Sequence, residues 1–315
     1  MSTRNLIDPE LLPLLDIFPQ LELSMANLPA AREQLVAMMA AVPIPPSDVV
    51  MSERRIPGPS GSPEVRVLVY TPPGKNAQRP ALLHIHGGGY VVGSPDMNHV
   101  RNQNLAGELD CVVVSVDYRL PPETPFPGPV EDCYAALKWL HGNASALGVN
   151  PAKIAIGGES AGGGLTAALG LLARDRKEVP VVFQMLIYPM IDDRTCVNKN
   201  LNPNTGEFVW TREANLFGWQ SMLGKAPGSD GVSCYAAASR AESVAGLPPT
   251  YIAVGALDLF LDEDVVYAQR LLAAGIATEL HVYPAAFHGF DMMAEAHVSK
   301  LFVRDYHAAL GHAFA

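Results

Sequence analysis

The chain has 315 residues, 49% of them apolar, and a formal net charge of −10 at pH 7. Such a chain can bury a sheet on both faces. Its acidic balance, with no dense run of Lys and Arg, excludes a nucleic-acid binder and a protein held on an anionic membrane surface.

From the N-terminus, Asp8, Glu10 and Asp16 appear where a signal peptide would carry basic and then apolar residues, so no secretory leader is expected. Residues 6–41 are predicted to form two helical pieces with Leu11, Leu12, Leu14, Leu15, Leu35, Met38 and Met39 as apolar positions. The block Pro43-Ile44-Pro45-Pro46 ends them, because proline cannot continue a helix. Strands are predicted near Val49–Ile56 and Val65–Tyr70, separated by a turn at Gly58–Gly61. From there the pattern alternates. Short apolar runs at Ala81–Ile85, Val112–Val116, Lys153–Ile156, Val181–Ile187, Tyr251–Val254 and Thr278–Val282 are predicted strands. Helical segments lie between most of them, including Pro129–Leu140, Ala161–Arg174 and Asp262–Ala274. Strands that are apolar on both faces and alternate with helices imply an α/β fold with a mostly parallel central sheet flanked by helices. In such folds a site forms at the C-terminal strand ends.

One stretch breaks the alternation. Residues 190–235 contain no strand pattern and carry Trp210, Phe217 and Trp219 among Asn, Gly and Pro. A connection of that length is expected to be a lid or binding element. The expected organisation is therefore a core of residues 46–189 and 236–315, with a helical cap built from 1–45 and 190–235. No internal repeat occurs. The longest apolar stretch, Val179–Ile191, is interrupted by Pro180, Gln184 and Pro189, so no membrane insertion is expected. The cysteines Cys111, Cys133, Cys196 and Cys234 lie far apart without a C-x-x-C pair, which suggests a reducing, cytoplasmic setting.

Two motifs carry chemistry. Gly158-Glu159-Ser160-Ala161-Gly162 fits G-x-S-x-G, follows a predicted strand and opens a predicted helix. That is the context in which a sharp turn exposes a nucleophilic serine. The helix N-terminus turns free amides toward developing negative charge. His86-Gly87-Gly88-Gly89 directly follows the strand Ala81–Ile85, and its glycines let backbone amides approach a substrate closely. The N–H groups of Gly88, Gly89 and Ala161 are the expected oxyanion donors.

Ser160 needs a general base, and there are nine histidines. His84 falls within a strand and His141 at a helix end; His297, His307 and His312 lie in the C-terminal helical segment. His86 belongs to the glycine loop, where a bracing hydrogen bond is expected, and His99 and His281 have no special context. His288, in Phe287-His288-Gly289-Phe290 just after the last strand, can project over the strand ends and is the expected base. The acid should fall between serine and histidine. Asp258 follows the strand Tyr251–Val254 by a short turn. Asp262, Glu263 and Asp264 open a helix, where carboxylates favour the N-terminal dipole. Asp258 is the expected partner of the imidazole. Asp117, Glu123, Asp132, Asp192 and Asp193 show no paired spacing, and no His/Asp cluster points to a metal. Tyr90 and Trp210 are candidate substrate contacts.

These motifs, together with Asp117-Tyr118-Arg119-Leu120, Pro122-Glu123, Phe126-Pro127, Tyr188-Pro189 and Asp258-Leu259 to Asp264, make roughly residues 65–310 resemble the hormone-sensitive-lipase-like esterases (bacterial family IV). The resemblance implies an α/β-hydrolase core, a helical cap, hydrolysis of mostly short acyl esters of small molecules, no cofactor, and in many members a homodimer. One departure is Glu159, where that family often has aspartate. Type B carboxylesterases also carry glutamate there, but their chains are much longer and their triad acid is often glutamate. Amide deacylation shares the acyl chemistry and is the alternative activity. A non-catalytic receptor on the same fold would be expected to lack a triad residue, and all three are present.

Overall fold

The structure, a computed structural model, describes residues 2–18, 22–74 and 78–315. Eight strands form one sheet: β1 (Val50–Ile56), β2 (Val65–Thr71), β3 (Arg79–Ile85), β4 (Val112–Asp117), β5 (Val149–Glu159), β6 (Phe183–Ile187), β7 (Thr250–Gly255) and β8 (Thr278–Tyr283). Their order is β1-β2-β4-β3-β5-β6-β7-β8. β2 runs antiparallel to both β1 and β4, and every pairing from β4 through β8 is parallel. The helices among the described residues are α1 (Leu12–Ile17), α2 (Leu28–Ala40), α3 (His99–Glu108), α4 (Gly128–Gly142), α5 (Ala144–Leu147), α6 (Ala161–Arg176), α7 (Arg212–Leu223), α8 (Leu261–Ala273) and α9 (His297–Phe314).

The two-residue period of the strands builds two core layers. Val67, Leu83, Val114 and Ile156 face one way, against Leu137 and Leu140 of α4 and Leu165 and Leu169 of α6. Leu68, Leu82, Val113 and Ala155 face the other way, with Leu105 of α3 and Phe302 and Leu310 of α9. Both faces are covered, which is why these strands read as continuous apolar runs.

The N-terminal 45 residues, expected to act as one cap, divide in two. Ile7, Leu11 and Leu14 are buried in the second core layer with Tyr283, Phe290 and Phe302. There Asp8 N–H also donates to the Ala285 carbonyl at 3.0 Å. α2 lies elsewhere, with Leu28 and Leu35 packed on Val91 and Val92 just beyond the His86–Gly89 loop. The sequence showed two apolar helical pieces, but apolarity alone does not say which surface each covers.

Residues 190–235 contain α7 and a short 3₁₀ turn at Thr195–Val197, with no strand. Their start is pinned from α8. The Glu263 carboxylate accepts from the amides of Ile191 at 2.7 Å and Asp192 at 3.1 Å, and from the Thr195 hydroxyl. Glu263 and Asp264 do lie in the first turn of α8 beside the exposed Asp262, but their own side chains point inward and are buried. They are therefore more than the dipole partners expected of them. The four cysteines are free thiols, and Cys111, Cys133 and Cys196 are buried. Among the described residues no helix is long and apolar enough to cross a membrane.

Candidate active site

Three parallel strands deliver three side chains to one place. Ser160 follows β5, Asp258 lies just beyond β7, and His288 lies just beyond β8. The imidazole Nε2 is 2.9 Å from Ser160 Oγ, and Nδ1 is 2.7 Å from Asp258 Oδ2. Asp258 is fully buried, and its other oxygen accepts from the Phe260 amide at 2.9 Å. The His288 ring is held edge-on by Tyr188, at 4.6 Å between centroids, and by Phe260, at 5.2 Å.

Ser160 has φ +56° and ψ −121°, a conformation that costs a non-glycine residue of order 1–3 kcal/mol. Its neighbours over-determine it. Ser160 N–H donates to the Ile187 carbonyl at 2.8 Å, and its own carbonyl accepts from Gly164 and Met190. Gly162 permits the turn to sit against β3, since a Cβ there would lie 2.0 Å from the Ile85 carbonyl oxygen.

The loop after β3 brings Gly87, Gly88 and Gly89 to the cavity that Ser160 and His288 also line. Gly88 and Gly89 take φ of +117° and +56°, which side-chain-bearing residues rarely adopt. The amides of Gly88, Gly89 and Ala161 donate to no acceptor among the described residues. His86 braces the loop as expected: its Nδ1–H donates to the Gly87 carbonyl at 2.7 Å, and its ring stacks on Tyr118. Burial holds its pKa down at about 4, so it stays neutral at working pH.

The cavity has a volume of about 280 Å³. Phe18, Leu35 and Met39 reach it from the N-terminal segment, and Val209, Trp210 and Ala214 from the 190–235 segment. Trp210 therefore lines it. Tyr90 does not: it is fully buried, its hydroxyl donates to the Met190 carbonyl at 2.7 Å, and its ring packs edge-on against Trp219. At φ +69° it lies beyond the glycine run, and its side chain turns into the core.

Sequence reasoning missed one cluster on the cavity wall. The Glu159 carboxylate accepts from His84 Nε2 at 3.0 Å and from Arg101 Nη1 at 2.6 Å. Burial opposes its ionisation, but His84 and Arg101 prevail and hold its pKa down at about 2. Arg101 also donates to Asp291, whose other oxygen accepts from the Tyr188 hydroxyl at 2.7 Å. Burial would lower the guanidinium pKa, yet Asp291 and Glu159 carry it well above its ordinary value. Glu159 was visible as a departure in the serine motif; nothing in the sequence linked it to Arg101.

The parallel sheet, with Ser160, Asp258 and His288 meeting beyond its strand ends, has the form of an α/β hydrolase, and the chain belongs to that family: the α/β hydrolase fold matches residues 82–292. Within it the protein is a serine carboxylesterase of the hormone-sensitive-lipase-like group. It is 34% identical over 294 residues to carboxylesterase NlhH of Mycobacterium tuberculosis, covering 90% of this chain and 88% of that one. It is 36% identical over 270 residues to carboxylic ester hydrolase LipN of the same organism, covering 84% of this chain and 70% of that one. Among solved structures, a bacterial heroin esterase superposes with a TM-score of 0.91 at 40% identity over the whole of both chains.

Proposed function

We propose that the protein hydrolyses short-chain acyl esters of small molecules through an acyl-enzyme on Ser160. The observation that carries the proposal is the continuous hydrogen-bonded line from Asp258 through His288 to Ser160 Oγ, with contacts of 2.7 and 2.9 Å. Asp258 fixes Nδ1 as the protonated nitrogen, so Nε2 presents its lone pair to the serine proton. As Oγ attacks the acyl carbon, the proton passes to Nε2 and the carbonyl electrons move onto oxygen. The amides of Gly88, Gly89 and Ala161 stabilise that oxyanion. Collapse breaks the carbon–oxygen bond, His288 protonates the departing alcohol, and water repeats the sequence to release the acid.

A cavity of about 280 Å³ supports small esters, since it lies just below the roughly 300–1,000 Å³ typical of ligand pockets. The wall that α2 and the Val209–Ala214 stretch place over it supports the cap assignment. A cytoplasmic location is proposed from the four free cysteines, and a homodimer on family grounds. The test is phosphonylation with a p-nitrophenyl phosphonate, mapped by mass spectrometry, together with a p-nitrophenyl ester series and an anilide. Label on Ser160, loss of activity, and rates that fall with acyl length are expected. Activity that survives stoichiometric labelling, or Ser160→Ala retaining near wild-type turnover, would refute the mechanism. Faster cleavage of the anilide than of the matching ester would turn the assignment toward amides.

A further inference from the structure

We propose that Arg101 is a positioning residue, which keeps the loop bearing the base His288 in register with the turn bearing the nucleophile Ser160. The inference rests on the triad reading above and names a device that serves it.

The sheet supplies this register only stepwise, through the backbone bonds Ser160–Ile187, Tyr188–Ala253 and Leu257–Ala286. Ser160 follows β5 and His288 follows β8, and β6 and β7 lie between those strands. At about 4.8 Å per strand the two attachment points stand some 14 Å apart. The loops must cross that gap, and no ladder hydrogen bond joins one to the other. Arg101, from α3, does join them. One arm of its guanidinium holds Glu159, the residue immediately before Ser160, at 2.6 Å. Another arm holds Asp291, on the turn just after His288. Sequence separations of 58 and 190 residues are closed by one side chain.

Both ends are anchored in turn. Glu159 also contacts His84, whose Nδ1 lies 2.9 Å from Ser115 Oγ on β4. Asp291 accepts from the Tyr188 hydroxyl, and the Tyr188 ring is one of the two that flank His288 edge-on. A line of contact therefore runs from the nucleophile's neighbour, through Arg101 and Asp291, to the face of the base. The two acidic side chains are only 6% and 1% exposed, so without the cation between them they would repel or have to take up protons. The Arg101 side chain is 21% exposed and lines the cavity, so its place is reachable from solvent. Planar, two-armed geometry suits it to spanning two carboxylates, which a lysine does with one point charge.

The test is Arg101→Ala, with kcat and KM for p-nitrophenyl acetate, the rate of Ser160 phosphonylation, and rescue by millimolar methylguanidinium. A misplacement of about 1 Å can cost on the order of 10²-fold, so kcat and the labelling rate should fall together by roughly that factor, with KM nearly unchanged. Methylguanidinium should restore about tenfold or more, and Arg101→Lys should recover only part. Asp291→Asn keeps the side-chain shape and leaves Arg101 paired with Glu159. It is measured alongside because Arg101→Ala strands two buried carboxylates, and a kcat loss of about tenfold with unchanged KM is expected. The proposal is overturned if whichever of these variants folds keeps kcat and labelling within twofold of the parent. A loss in Arg101→Ala that methylguanidinium leaves untouched also overturns it. A parent enzyme that is not labelled at Ser160 would instead overturn the triad reading itself.

Discussion

Gly89→Ala joins the proposed oxyanion loop to the wall of the cavity in one perturbation. A Cβ on Gly89 would lie 1.9 Å from Trp210 Cη2, with Cζ2 and Cζ3 at 2.7 and 2.8 Å. Carbon atoms rest about 3.5–4.0 Å apart, so the indole must retreat by roughly 1.5–2 Å or the loop must shift. The indole is not free to go: it is 8% exposed, and its Nε1–H donates to Asn215 Oδ1 at 3.2 Å. Overpacking of this kind costs about 1–3 kcal/mol, and alanine at φ +56° adds about 1–2 kcal/mol. If the loop yields, the Gly89 amide leaves its place, and losing one oxyanion donor costs about 10²–10³ in kcat. Urea unfolding and p-nitrophenyl acetate kinetics on Gly89→Ala, Trp210→Ala and the double variant form a cycle. Removing the indole relieves the clash but not the backbone strain, so the double variant should be more stable than the sum of the singles by about 1–3 kcal/mol. Stabilities additive within about 0.5 kcal/mol would refute the clash, and wild-type kcat in Gly89→Ala would refute the loop shift.

Asp258→Asn should lower kcat by about 10⁴ while Asp262→Asn leaves it within a few-fold, as steady-state kinetics on both would show; equal losses would move the acid along the loop. Leu11→Ala and Leu14→Ala, in the core, should each cost about 2–5 kcal/mol in urea melts. Met39→Ala, on the cavity wall, should instead shift acyl-length preference with little change in stability. Asp264 is buried without a hydrogen-bond partner among the described residues, and burial pushes its pKa well above the ordinary 3.8. A raised native pKa gives stability that is complete below the unfolded carboxyl's range and is lost as pH climbs toward the native value. Asp264→Asn removes that loss. Its stability relative to the parent should therefore grow by about 1.4 kcal/mol per pH unit above pH ~4, until the native carboxyl ionises. Parallel stability profiles for the two proteins would contradict this account.

The meeting of Ser160, His288 and Asp258 was legible because each residue is announced locally. Ser160 has its glycines, a strand before it and a helix after it. His288 and Asp258 each follow an apolar run by a few residues. The cluster around Arg101 had no such announcement, because its contacts close 58 and 190 residues of chain and depend on how α3 lies across the strand ends. Glu263 misled for a related reason. Its place in the first turn of a helix was readable, but the inward direction of its side chain is set by packing. Tyr90 followed the glycine loop closely enough to suggest a substrate contact. Its positive φ, a tertiary outcome, sends the ring to Trp219 instead. The division of the N-terminal segment belongs with these, since two leucine-rich helices look alike until the surfaces they cover exist.

The charges on the cavity wall bear on the direction of the chemistry. An ester arrives uncharged, and its acyl half leaves as an anion. The lining offers that anion Glu159 and Asp291 with the single guanidinium of Arg101 already taken up between them, and Asp258 lies just behind His288. The surrounding molecule carries a net charge of −10. A carboxylate product set against this wall would meet like charge that the uncharged ester does not.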